Sequence, residues 1–337
     1  MNAPHTLASL AAAAGASQKT ALRALRGAPF VAPAVAAAVL AQAAPCDHAR
    51  LLEGAATAAR RPVVVHVSQF ESSTIHELAT TIGAELRRAG YEMLLYSAIG
   101  QAEDFHGGAC AALHALCEGV ILVMPWMTPG FLRQLEAAHM PAVLVEYSAE
   151  TTTLPAVMAD NRGGAFKVVE AMLGAGHRRI AFVGGAPHTG QGAAREAGYR
   201  DALAAAGMQA HDDYVVPGDF TFASGVQAAK RLLDLAEPPT AIFAANDEMA
   251  LGVIDAVQAR GLLVPDEISV AGFDDILAAS YVTPTLTTVR TPLKAMSHEA
   301  VRRIVDAIEG RARGHGRTEF ATKLVQRGST GPMIWPA

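Results

Sequence analysis

The chain has 337 residues, 51% hydrophobic and 18% charged, enough for about two domains with a sizeable core and far from a disordered composition. No apolar run reaches the ~20 residues of a membrane-spanning helix. The net charge of −5 is unevenly spread: residues 1–61 hold six basic side chains (Lys19, Arg23, Arg26, Arg50, Arg60, Arg61) against Asp47 and Glu53, a net +4, leaving −9 on the rest. Such an asymmetry fits a nucleic-acid-binding head on an acidic body.

From the N-terminus, Leu7, Leu10, Ala11 and Ala14 form one apolar helical face, which Gly15 ends. Ser17 is a good N-cap for a second helix with Thr20, Ala21, Leu22 and Leu25, ended by Gly27. Two short helices around a Gly-containing turn read equally as a helix-turn-helix or a plain helical hairpin. The following FVAPAVAAAVLAQAA resembles a secretory signal, and Cys46 invites a lipoprotein reading. Against export, the n-region is long and itself helical in pattern, and Pro33 and Pro45 interrupt the motif. The three cysteines, Cys46, Cys110 and Cys117, are odd in number and read as small buried hydrophobes.

Next come short apolar runs alternating with helical patterns. Pro62–Ser68, Glu92–Tyr96, Gly119–Met124 and Ala142–Glu146 read as strands, with helices at 76–90 and Leu132–Ala138. A second series starts at Ala156–Ala159 and continues through helix Gly164–Gly174, strand Ile180–Gly184, helix Ala193–Ala206 and strand Tyr214–Val216. Strand Ala241–Ala245 and helix Met249–Arg260 follow, then strand Ile268–Phe273, helix Met296–Glu309 and strand Ala321–Val325. The alternation predicts an α/β fold of open parallel sheets with helices on both faces, in two similar Rossmann-like lobes.

Ligands in such sheets bind beyond the carboxyl ends of the strands. Asn246 and Asp247 sit at one such end, Asp274 and Asp275 at the next, and all four suit a polyhydroxylated small molecule. Helix capping by Asp247 and turn-making by Asp275 explain those two equally well. GGAPHTGQG lacks the ending of a P-loop and the third Gly of a dinucleotide fingerprint. The 12 histidines show no metal-ligand spacing, and no GxSxG elbow accompanies a triad. We therefore expect no catalytic residues, no metal and no cofactor.

The segments AANDEMALG, VPDEISVAGFDD and TPTLTTVRTP, in this order and spacing, resemble the effector-binding core of the LacI/GalR family of bacterial transcription regulators. The head resembles it too: TLxxLAxxAGxSxxTxxRxLxG runs from Thr6 to Gly27, and Val31, Pro33 and Val39 continue it into a third helix. The resemblance implies a small all-α helix-turn-helix head at 1–45, a hinge at 46–61, and a periplasmic-binding-protein-like effector and dimerisation domain at 62–330. One lobe would comprise about 62–159 and 291–320, the other about 160–290 and 321–330, with crossings near Asp160, Arg290 and Ala321.

The second head helix would then lie in the major groove of double-stranded operator DNA. Thr6, Ser17, Gln18, Lys19, Thr20 and Arg23 would make the phosphate and base contacts, Gln18 and Lys19 reading bases. Where members carry a GYxPNxxARxL hinge whose Leu wedges into the minor groove, this chain has PCDHARLL. Leu52 stands as the wedge, with Cys46 replacing the Asn.

Effector contacts would come from Gln69, Ser72, Thr74, Ile75, Trp126, Tyr147, Asp160, Gln191, Arg195, Phe220, Asn246, Phe273 and Asp274. Arg195, Phe220, Asn246 and Asp274 carry over most directly, whereas Thr74 and Ile75 replace two aromatics common in the family. The implied protein is a cytoplasmic homodimer, or a tetramer built from it, without membrane contact, whose operator affinity responds to a sugar, sugar acid or similar metabolite. An exported solute-binding protein and a sensor that has lost specific DNA binding are the alternatives.

Overall fold

The computed structural model describes residues 6–26, 31–43, 61–67, 72–97, 113, 116–124, 129–147, 152–186, 190–311 and 316–333. The head is three helices, α1 Leu7–Ala13, α2 Gln18–Leu25 and α3 Pro33–Ala43. Thr6 and Ser9 form a reciprocal capping box on α1, and Ser17 caps α2 by accepting from the Thr20 amide. Gly15 turns the chain between them with a φ of 64°. The helices enclose a small core of Leu10, Ala11, Ala21, Ala24, Val39 and Ala43, whose short side chains allow close approach. The proposed hinge, Leu52 included, lies outside the described residues except for Arg61.

The body follows in chain order as β1 Arg61–Val67, α4 Ser73–Arg88, β2 Tyr91–Ser97, β3 Gly119–Val123, α5 Pro129–Ala137, β4 Ala142–Val145 and β5 Ala156–Ala159. Then come α6 Asn161–Gly174, β6 Ile180–Val183, α7 Gly190–Ala205, β7 Val215–Val216, α8 Phe222–Leu233 and β8 Ala241–Ala244. The chain continues with α9 Asp247–Ala259, β9 Ser269–Ala271, β10 Thr288–Arg290, α10 Leu293–Ile308, β11 Arg317–Phe320 and β12 Lys323–Val325.

Two parallel sheets result, one ordered β11-β5-β4-β3-β1-β2 and the other β7-β6-β8-β9. Their central strands are buried along their whole length, which is why GVILV and AVLV read as unbroken apolar runs. An antiparallel pair, β10 with β12, lies beside the second sheet. The chain leaves the first sheet after β5, returns from β10 into α10 and β11, and leaves again into β12. The first lobe below means the first sheet with α4, α5 and α10; the second lobe means the other sheet with α6–α9.

The expected α/β architecture of two parallel sheets is what the structure has. Three elements had escaped the sequence reading: α8, β10 and β11. β11 is RTEF on a sheet edge, with alternate residues exposed, so it carries almost no hydrophobic signal. In α8 a single glycine, Gly225, interrupts the apolar pattern; with Gly252 of α9 it lets the two backbones meet, and a Cβ on Gly225 would lie 2.1 Å from the Met249 carbonyl oxygen.

Candidate functional site

The carboxyl ends of β8 and β9 converge on Arg195, which α7 presents at only 2% exposure. Its Nε donates to Asn161 Oδ1 at 2.8 Å, its Nη1 to the Ala245 carbonyl at 2.5 Å and its Nη2 to Asp274 Oδ1 at 2.9 Å. The guanidinium carbon lies 3.8 Å from the centre of the Phe273 ring, a cation–π contact from below. A planar fork of five donors meets three acceptors on three different elements, a task lysine could not perform.

The network reaches the first lobe at both ends. Asn161 Nδ2 donates to Glu146 Oε2 at 2.9 Å, and Glu146 Oε1 accepts from the Ala159 amide at 2.6 Å. At the other end, Asp274 Oδ2 accepts from Thr74 Oγ1 at 3.2 Å. Burial pushes the carboxyls of Glu146 and Asp274 above their usual range, while the Arg195 charge pulls both back. Asp274 has a φ of 110° and Glu146 one of 55°, so both acids occupy strained turns directly after their strands.

The neighbouring residues hold this frame. Asn246 caps α9 by accepting from the Met249 amide at 3.0 Å, and its Nδ2 donates to the Phe220 carbonyl at 3.0 Å. Phe220 has a φ of 70°, and its ring covers Gly185, where a Cβ would lie 2.0 Å from Cζ. Asp247 is fully buried and accepts from Thr288 Oγ1 at 2.5 Å and the Ile276 amide at 2.9 Å. Burial first, and the Asp274 charge next, raise its carboxyl well above the usual value. Asp275 ties the second lobe to its outlying pair of strands through Arg290 at 2.5 Å and Arg327 at 2.6 Å.

The other expected cleft residues divide. Asp160 caps α6 by accepting from the Gly163 amide at 2.7 Å, and Ser72 caps α4 by accepting from the Ile75 amide at 3.4 Å. Gln191 is buried on the first turn of α7, one turn from Arg195. Tyr147 is half-buried against the apolar cluster around α5. Ile75 is packed into the core of the first lobe with Leu78, Ile121 and Met296. Gln69 and Trp126 lie outside the described residues. Sequence reasoning missed Glu146 and Asn161, and the available signals were polar residues directly after β4 and β5.

In the head, Thr6, Ser17 and Gln18 are exposed, and Thr20 Oγ1 lies 2.8 Å from Ser17 Oγ. Lys19 and Arg23 are half-buried. The Lys19 ammonium donates to the Cys117 carbonyl, and Arg23 Nη2 donates to the Glu118 carbonyl at 2.9 Å, just before β3. Burial, then the charge of Arg23, lowers the Lys19 pKa.

Fold and site together define a two-lobed small-molecule-binding protein with a small helical head. The model of the periplasmic binding protein-like domain matches residues 169–330. The chain is 32% identical to the HTH-type transcriptional regulator CelR of Thermobifida fusca over 339 residues, 96% of this chain and 98% of that protein. It therefore belongs to the LacI family of transcriptional regulators. Catabolite control protein A of Priestia megaterium is 37% identical over 186 residues, 55% of this chain and 56% of its own length. Among solved structures, the CelR–cellobiose complex has a TM-score of 0.75 at 30% identity, covering 96% of this chain and 99% of that one. The Escherichia coli repressor ascG has a TM-score of 0.69 at 27% identity, covering 80% and 99%.

Proposed function

We propose that this protein is a DNA-binding regulator whose operator affinity is set by a sugar-like metabolite held between the two lobes, and that it works in the cytoplasm as a homodimer. The observation that carries the reading is the Glu146–Asn161–Arg195–Asp274–Thr74 chain of hydrogen bonds, which joins the lobes through the strand ends where ligands of such sheets bind. A ligand that alters those bonds biases lobe closure, and closure biases the head. CelR is named in complex with cellobiose, which supports a sugar as effector.

The head belongs to this reading through Ser17, Gln18, Lys19, Thr20 and Arg23 on α2, with Thr6 at the start of α1 and Leu52 as the hinge wedge. Lys19 and Arg23 must leave the Cys117 and Glu118 carbonyls to reach phosphates, so operator binding includes that exchange. Dimerisation is supported by exposed apolar side chains: Leu94 and Leu95 on β2, the outer strand of the first sheet among the described residues, and Leu277 and Tyr281, at 70% and 74% exposure, on the second lobe. Sedimentation of the full chain at micromolar concentration should give a dimer, and a monomer would refute that part.

The experiment for the cleft is calorimetry with a sugar panel that includes cellobiose. A hydrogen bond to a charged group contributes about 1.5–3 kcal/mol, so Asp274→Asn should weaken binding of the responding sugar by about one to two decades. Unchanged affinity with an unchanged melting temperature would reject the site.

A further inference from the structure

The first turn of α4 contains no acidic side chain of its own, although a helix N-terminus favours negative charge. Its acids come from the other lobe. Ser73 Oγ donates to Glu248 Oε1 at 2.6 Å, and Thr74 Oγ1 donates to Asp274 Oδ2 at 3.2 Å. Thr74 is 4% exposed and Asp274 7%, so this second bond is dry, whereas the Ser73–Glu248 bond lies at the rim.

Asp274 therefore has both oxygens engaged by the protein itself, Oδ1 by Arg195 and Oδ2 by Thr74. Arg195 is equally committed, with Asn161, Ala245 and Asp274 taking its donors. We propose that Thr74 sets both affinity and ligand class at this cleft: its hydroxyl competes with an effector hydroxyl for Asp274 Oδ2, and an anionic group without a donor hydrogen cannot take its place. This rests on the assignment of Asp274 as an effector contact.

The ligand class follows from the charges facing Thr74. Asp274 and Glu248 both present carboxylate oxygens to the first turn of α4, and among the described residues the buried cation nearby, Arg195, is already compensated. Replacing the Thr74 hydroxyl with a sugar hydroxyl exchanges one donor for another and leaves Asp274 satisfied. A carboxylate or phosphate brings no donor and meets like charge, so the anionic group of a sugar acid or sugar phosphate is excluded from this corner, and the neutral sugar is the favoured ligand. The competition also lowers the apparent affinity by the fraction of molecules in which Thr74 has let go.

The test uses the full chain, with Thr74→Val to remove the hydroxyl at constant shape and Glu248→Gln to weaken the rim bond. Without sugar, amide exchange over residues 74–78 should be about tenfold faster in Thr74→Val, less so in Glu248→Gln, with the rest of the chain unchanged. Equal exchange in both variants and the parent would overturn the latch. A thermal-shift panel then pairs neutral mono- and disaccharides, cellobiose among them, with their aldonic and uronic acids. Neutral sugars should bind, and Thr74→Val should bind them several-fold more tightly than the parent. Binding confined to the acids, no neutral binder, or weaker binding by Thr74→Val would overturn the ligand class. If Asp274→Asn bound sugar as the parent does, the effector assignment alone would fail, because the exchange measurement reads the latch without any sugar.

Discussion

Two sets of cations in this molecule live in opposite surroundings. Arg195 is sealed between the lobes with three hydrogen-bond acceptors and an aromatic ring beneath it. Lys19 and Arg23 lie half-exposed on α2, each donating to one backbone carbonyl. A buried charge is expensive to leave unpaired, so Arg195 fixes geometry and its partners cannot exchange freely. A half-exposed charge loses little when it moves from a carbonyl to a phosphate oxygen. Under the proposed function, the cleft holds positions and the head changes partners.

The largest effect should come from breaking the rigid side of that contrast. Arg195→Ala leaves Asp274 buried and unpaired, and we expect a loss of about 3–5 kcal/mol in urea unfolding of the full chain. Asp274→Asn removes the charge partner of Arg195 but keeps an acceptor of the same shape for it, so it is the gentler variant and the better probe of binding.

Acids sharpen the same contrast, through opposite pH slopes. Asp247 has its folded pKa raised above 3.8 by burial, so its contribution is fully present at low pH and is lost as pH rises through the folded value. Glu299, paired with Arg302 and Arg303, has its pKa lowered from 4.5 to about 2, so its contribution is present above 4.5 and is lost as pH falls toward 2. In denaturation series across pH, Asp247→Asn should remove a fall in stability with rising pH, and Glu299→Gln should remove a loss on acidification. The same slope in both variants would contradict the assignment.

On the exchangeable side, Lys19→Ala and Arg23→Ala should each weaken operator binding by about tenfold at low salt. Each should also reduce the salt slope by about one, as loss of a phosphate contact does. Gel shift or anisotropy at several salt concentrations checks both. Ser17→Ala should cost the head about 1 kcal/mol by freeing the Thr20 amide, visible as a loss of helical signal from α2.

The legibility of the sequence followed the same division. Strands buried on both faces announced themselves as Val- and Ile-rich runs, and the cap Ser17 as a polar residue before helical spacing; the cap expected at Asp247 is made one residue earlier by Asn246, while Asp247 accepts from Thr288 and the Ile276 amide. β11 was hidden because an edge strand half in solvent needs no apolar pattern, and α8 because Gly225, which serves a close crossing with α9, interrupts its apolar pattern. In the site, Asn246, Asp274 and Arg195 were readable from their motifs. Glu146 and Asn161 were not, because their role depends on two strand ends meeting across a sheet order that local sequence does not specify. Ile75, expected among the effector contacts, lies on the first turn of α4 with its side chain in the core of the first lobe.

The account stands or falls on coupling between the two regions. The most direct measurement is the anisotropy of a labelled palindromic operator with the full chain, titrated with the sugar that calorimetry identifies, for the parent and for Asp274→Asn. The account predicts equal operator affinity for both without sugar, a shift in the parent with sugar, and a response in Asp274→Asn displaced to sugar concentrations one to two decades higher. An unchanged response in Asp274→Asn would contradict it, as would operator binding that survives deletion of residues 1–61.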